Sequence, residues 1–204
     1  SWILCGIFFQ APDKSLVNAG GSAAKSGTSE MKQYTSGEMM RTRNFYLLLA
    51  TMFFGLISYF MVSPVSQTYQ IDLGIPSAVA VSAVMLGSIV NAGARLVLPT
   101  LADKVGRIVC IKGVLIVAVI AMGVLAVSRS LAVTVAVVLM YGCYGGIMGS
   151  FPSLTSSIFG MKHTGENYGF VMFGIVFATF GAPAISGLVS SNGYEMNVVF
   201  GIGA

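Results

Sequence analysis

The chain has 204 residues, 55% of them hydrophobic and only 9% charged, against about 25% charged in an ordinary soluble domain. So little charge cannot give a core of this size a water-compatible surface, which excludes a soluble globular fold. The net charge of +4 does not mark a nucleic-acid partner, because the basic residues fall in short runs between long apolar stretches, as a membrane topology signal does.

No charged residue occurs between Arg129 and Lys162, or between Glu166 and Glu195, and each interval exceeds the roughly 20 residues that cross a bilayer. An all-α, polytopic membrane helix bundle is therefore expected. Residues 1–9, SWILCGIFF, are apolar but too short to span. With no basic region before them and no small-residue cleavage site after, they read as the end of a truncated transmembrane helix and not as a signal peptide. Residues 10–44 turn to Gly, Ser, Ala, Lys and Thr, too polar to bury a core, and read as a flexible cytoplasmic linker. At its end Thr35 and Glu38 have capping-box spacing, which opens a short surface helix, GEMMRTRN, whose Arg41 and Arg43 anchor to headgroups.

Residues 45–204 form the transmembrane bundle, with five complete spans and a truncated sixth. The first is 45–62, closed by Ser63 and Pro64. A polar loop, SQTYQIDLG, precedes Pro76 and Ser77, which open the second span, 77–98, with Pro99 near its exit. The third covers 109–127, and the fourth 131–159 with Gly160 as terminator. The fifth covers 167–189, and the sixth, 197–204, is too short to cross. Alternate connections then segregate charge. Lys14, Lys25, Lys32, Arg41 and Arg43 precede the first span, Lys104, Arg107 and Lys112 join the second and third, and Lys162 joins the fourth and fifth. The opposite side holds only Arg129. The positive-inside rule puts the linker and the 99–108 hinge in the cytoplasm, in a protein of the plasma membrane.

Arg95 lies inside the second span, where an arginine costs about 2.5 to 3.5 kcal/mol and needs a partner or a wet cavity. Two readings stay open. Arg95 snorkels past Pro99 to the headgroups, roughly 6 Å away along the helix, or it meets an anionic substrate. Asp72, Asp103, Glu166 and Glu195 all lie at loops, so no complete span supplies a carboxylate to neutralise it. Asn91 and Ser88 continue its helical face, as a cavity wall or as interhelical hydrogen-bonding groups. In the fourth span, YGCYGGIMGSFPS, Tyr141 and Tyr144 have hydroxyls for an anion or rings for the core. Gly142 with Gly146, and Gly145 with Gly149, have the small-xxx-small spacing of close helix packing. Asp103, Gly106 and Arg107 form a helix-to-helix hinge whose contacts break and re-form when bundles rock. Cys5, Cys110 and Cys143 lack ligand spacing and His163 stands alone. No metal site, cofactor or enzymatic constellation is expected.

The segment PTLADKVGR resembles the loop signature G-x-L-A-D-R-x-G-R-K of the major facilitator superfamily. Leu101, Ala102, Asp103, Gly106 and Arg107 match, while Pro99 and Ile108 depart from it. With a long linker upstream, the resemblance implies the second copy of this loop. The spans then correspond to helices seven to eleven, in the second six-helix half of a twelve-helix fold, and the missing amino-terminal half is a partner. GEMMRTRNFYLLLATMFF, NAGAR and YGGIMGSFPSLTSSIFGMKHTGENYGF further resemble the oxalate/formate antiporter and monocarboxylate transporter families. That likeness implies that Arg95 binds a substrate carboxylate. The oxalate carriers also use a lysine in helix eleven; Ile175 stands near its place, which suits a monocarboxylate better than a dianion. The expected function is secondary active transport of small organic anions by alternating access. A facilitator for a neutral solute such as a sugar, or a non-transporting sensor or scaffold, is the alternative.

Overall fold

The computed structural model describes residues 33–191 and 196–203. The expected helix end at 1–9, most of the linker, Cys5 and Glu195 lie outside the described residues. Within them the chain is helical, without a strand: α1 (Ser36–Met40), α2 (Arg43–Val62), α3 (Ser66–Asp72), α4 (Ser77–Val105), α5 (Arg107–Val127), α6 (Ala132–Phe159), α7 (Thr164–Val171), α8 (Phe173–Ser191) and α9 (Met196–Gly203). Four helices, α2, α4, α5 and α6, are each long and apolar enough to cross a membrane, and α7 with α8 makes a fifth such segment, Thr164–Val189.

Local chemistry sets the helix ends. At α1 the Glu38 carboxylate accepts from the Thr35 backbone N–H at 3.0 Å and from its hydroxyl at 2.9 Å, the reach-back of a capping box. The Thr42 side chain caps α2 by accepting from the Phe45 N–H at 3.4 Å. Gly106, at φ 106°, separates α4 from α5, and Gly160, at φ 88°, ends α6. Both lie in the left-handed half of backbone space, which glycine enters at least cost.

The centre of the bundle is α2 and α6, where 50% and 56% of the apolar stretch is buried, against 11% for α4. Met52 and Leu56 of α2, Met122 and Leu125 of α5, and Ile147 and Phe151 of α6 are almost fully enclosed in one core. The outer faces are as apolar as this core: Phe54 is 68% exposed, Ile89 69% and Leu96 74%. Apolar exposure on this scale is untenable in water and ordinary against lipid.

Three local differences separate this fold from the expected layout. The supposed loop SQTYQIDLG contains α3, because Ser66, Tyr69 and Gln70 turn inward. The fully buried Gln70 donates to the Ser66 carbonyl at 2.9 Å and accepts from the Thr134 hydroxyl at 2.9 Å, and Tyr69 donates to the Leu125 carbonyl at 2.9 Å. Helix α4 runs through Pro99 to Val105 instead of ending near Leu98. The fifth segment begins at Thr164 and breaks at Met172, so α7 and α8 are distinct helices.

Candidate functional site

The site is built where α4 packs on α6, the most extensive helix contact in the bundle. Gly145 and Gly149 of α6 occupy the same four-residue register as Asn91 and Arg95 of α4. A Cβ on Gly145 would collide with the Asn91 carbonyl, and one on Gly149 would lie 2.7 Å from the Arg95 carbonyl. Small residues at this spacing let the two backbones touch. Pro99 also leaves the Arg95 carbonyl without its intrahelical donor, and the bare face of Gly149 is what packs there. Gly87, one turn up α4 from Asn91, makes room for the ring of Tyr141 in the same way, since its Cβ would lie 3.0 Å from the ring's Cγ.

This packing places Asn91, Arg95 and Tyr144 together. Arg95 Nε donates to Asn91 Oδ1 at 3.1 Å, and the guanidinium carbon lies 5.5 Å from the centroid of the Tyr144 ring. Asn91 thus fixes one edge of the guanidinium and Tyr144 offers a π-face, a favourable cation–π arrangement. Among the described residues no ion pair involves Arg95. The side chain is exposed on the flank of α4 and is not enclosed in a closed pocket.

Behind it stands a layer of tyrosines. Tyr59 of α2 stacks on Tyr144 with ring centroids 4.1 Å apart and planes 13° from parallel, and Tyr141 meets Tyr59 edge-on at 5.2 Å. Tyr141 is buried, and its hydroxyl lies 3.4 Å from that of Ser63. It therefore supports the layer from within the core, whereas Tyr144 faces the arginine directly. Tyr59, and Tyr168 of α7, are partly buried against the core of the bundle. The sequence marks neither. Each is an isolated tyrosine without a polar helical stripe, and only helix packing brings Tyr59 against Tyr144.

The hinge lies elsewhere. Asp103 is eight residues beyond Arg95, about 12 Å along the helix. Arg107 pairs with Asp103 at 3.2 Å and donates to the Ser153 carbonyl at 2.9 Å, so it ties the start of α5 to α6 across the Gly106 turn. Lys104 is exposed beside them. A second tie joins the segment before α1 to the α6–α7 connection. Asn167, fully buried, donates to the Tyr34 carbonyl at 3.1 Å and accepts from the Ser36 hydroxyl at 3.2 Å. Gln33 accepts from the Lys162 N–H at 3.0 Å, beside Gly160. His163 lies at this joint, 3.8 Å from Glu166. Cys110 and Cys143 are buried and unbridged. Among the described residues no group of His, Cys, Asp or Glu is arranged to hold a metal ion.

Comparison with known proteins agrees with this architecture. The family model of the Major Facilitator Superfamily matches residues 2–202. An uncharacterized MFS-type transporter of Escherichia coli (strain K12), YhjX, is 32% identical over 146 residues, which cover 70% of this chain and 36% of that protein. An oxalate:formate antiporter of Oxalobacter formigenes is 28% identical over 142 residues, covering 68% of this chain and 34% of the relative. The chain thus spans about a third of the length of these curated relatives. Its helical architecture and the match along nearly its whole length identify it as a membrane protein of the major facilitator superfamily of transporters.

Proposed function

We propose that this chain is part of a secondary transporter of small organic anions, with Arg95 as the residue that meets the substrate carboxylate. The observation that carries this reading is the state of the arginine. Its guanidinium is braced by Asn91 and Tyr144, yet has no carboxylate partner among the described residues. A cation at membrane depth needs a counter-charge, and a substrate carboxylate supplies it in the bidentate geometry that a guanidinium favours. Tyr144, with Tyr59 stacked behind it, forms a rigid aromatic wall against which a small acid packs. The relation to the oxalate:formate antiporter supports the same substrate class.

In this reading the linker and the Asp103–Arg107 hinge face the cytoplasm, and residues 45–204 rock against a further half of the transporter in alternating access. No carboxylate of a described span faces Arg95, which favours anion exchange over proton coupling through this segment. A neutral polyol is the second reading, favoured by the Asn91 amide and the Tyr144 ring beside Arg95; Arg95 then has a structural role. Ligand-induced stabilisation of the intact protein separates the two. A ligand at 100 times its Kd adds about 2.7 kcal/mol to the folded state, so a carboxylate series should raise Tm while matched polyols leave it unchanged. The reverse ranking contradicts the anion reading.

A further inference from the structure

We propose that the cleft between α4, α5 and α6 is a binding site for an anionic phospholipid, with an acyl chain in the cleft and the headgroup at the α4–α5 hinge. This inference goes beyond the transport reading and shares with it only the cytoplasmic placement of the hinge.

The cleft has a volume of about 490 Å³. Leu98, Leu101 and Val105 form its α4 wall, Val109 and Val117 its α5 wall, and Leu139 part of its floor. The thiols of Cys110 and Cys143 also line it, but they donate to the Leu98 and Val114 carbonyls at 3.7 Å and 3.6 Å and leave no polar demand on an occupant. On α4 the lining runs from Val90 to Val105, about 22 Å along the axis. It therefore extends from the hinge past the midplane of a hydrocarbon layer about 30 Å thick. Water has nothing to bond to in such a cleft, and hydrocarbon fills it without leaving a polar group unsatisfied.

Charge at the mouth selects the headgroup. Val105 and Val109 are the last lining residues, and Gly106 and Arg107 lie between them. Arg107 is engaged by Asp103 and the Ser153 carbonyl. Lys104, next to Val105, is exposed and has no ion-pair partner among the described residues. The hinge thus carries one uncompensated positive charge where the cleft opens. A basic group over an interhelical cleft on the cytoplasmic side is an arrangement that holds anionic headgroups. Gly113 keeps the α5 wall open, since a Cβ there meets nothing within 4 Å.

The test is native mass spectrometry of the intact protein, released from micelles that hold equal amounts of phosphatidylglycerol and phosphatidylcholine with identical chains. The wild type should retain phosphatidylglycerol preferentially. Lys104→Gln should reduce that preference about five-fold while total bound lipid stays constant. Gly113→Phe, which fills the cleft, should release the retained lipid of both kinds, with Gly113→Ala as the folded control. Should Gly113→Phe not fold, Val117→Trp on the same wall gives the same reading. Equal retention of the two lipids by the wild type overturns the headgroup assignment. Retention unchanged in a folded cleft-filling variant overturns the site.

Discussion

Gly149 of α6 packs against the main-chain carbonyl of Arg95, the carbonyl that Pro99 leaves without its helical donor; a Cβ at Gly149 would lie 2.7 Å from the oxygen. The candidate substrate residue is thus positioned by a glycine on another helix. Four residues away, Gly145 stands in the same relation to Asn91. Side chains at these two positions must push α4 from α6 and carry Arg95 away from Tyr144. Gly149→Ala and Gly145→Ala are expected to destabilise the protein by about 1 to 3 kcal/mol, as overpacking does. Gly93→Ala on α4 meets nothing within 4 Å and should be neutral or stabilising by up to about 1 kcal/mol, because alanine restricts the unfolded chain. Thermal unfolding in detergent separates the two classes.

Tyr144 and Tyr141 should matter for different reasons. Tyr144→Ala removes both the π-face over Arg95 and the stack on Tyr59, interactions of about 1 kcal/mol each. An increase in the transport KM of about five- to thirty-fold is expected, whereas Tyr144→Phe, which keeps the ring, should shift it by less than half as much on a logarithmic scale. Tyr141→Phe should leave KM unchanged, because that hydroxyl faces Ser63 inside the core. Uptake kinetics of the three variants side by side check the ordering.

Much of this organisation is legible in the sequence, for physical reasons. Apolar runs bounded by Pro, Gly and charge gave the membrane-crossing segments, and the four-residue spacings of Asn91 with Arg95 and of Gly145 with Gly149 placed each pair on one face of its helix. What the spacing leaves open is which face meets which helix. Tyr59 meets Tyr144 only through tertiary packing. Tyr141 and Tyr144, three residues apart, are told apart only because one points to Ser63 and the other to Arg95. Helix α3 reads as a loop because its polar residues, Gln70 above all, find partners on Ser66 and Thr134 that local composition does not show. Helix α4 passes through Pro99 because the cost of a proline depends on what surrounds the freed carbonyl.

At the hinge, the Asp103–Arg107 pair is substantially exposed, with side chains 60% and 34% accessible. Exposed pairs contribute about 1 kcal/mol or less. Asp103→Asn should therefore affect thermal stability little, while Arg107→Gln also loses the 2.9 Å bond to the Ser153 carbonyl and should cost more. Unfolding curves of both variants test this ranking, and equal losses would contradict the assignment of Ser153 as the main anchor.

Asn167 holds the Gln33–Ser36 strap to the α6–α7 joint. Replacing it with leucine leaves the Tyr34 carbonyl without the amide donor and Ser36 without one acceptor, at about 1 to 3 kcal/mol. The strap should then become accessible. Hydrogen exchange across residues 33–36 is expected to rise in Asn167→Leu by about five-fold or more, with exchange in the α6 core unchanged.

The role of Arg95 is tested by uptake of radiolabelled small monocarboxylates by the intact protein in proteoliposomes, for the wild type beside Arg95→Gln and Arg95→Lys. Carboxylate binding by Arg95 predicts saturable uptake by the wild type, loss of about a hundred-fold or more in kcat/KM for Arg95→Gln as a charge-assisted pair of about 3 kcal/mol is removed, and partial recovery in Arg95→Lys. Undiminished uptake by a normally expressed Arg95→Gln protein would contradict it, and would leave the arginine as a residue that snorkels to the headgroups.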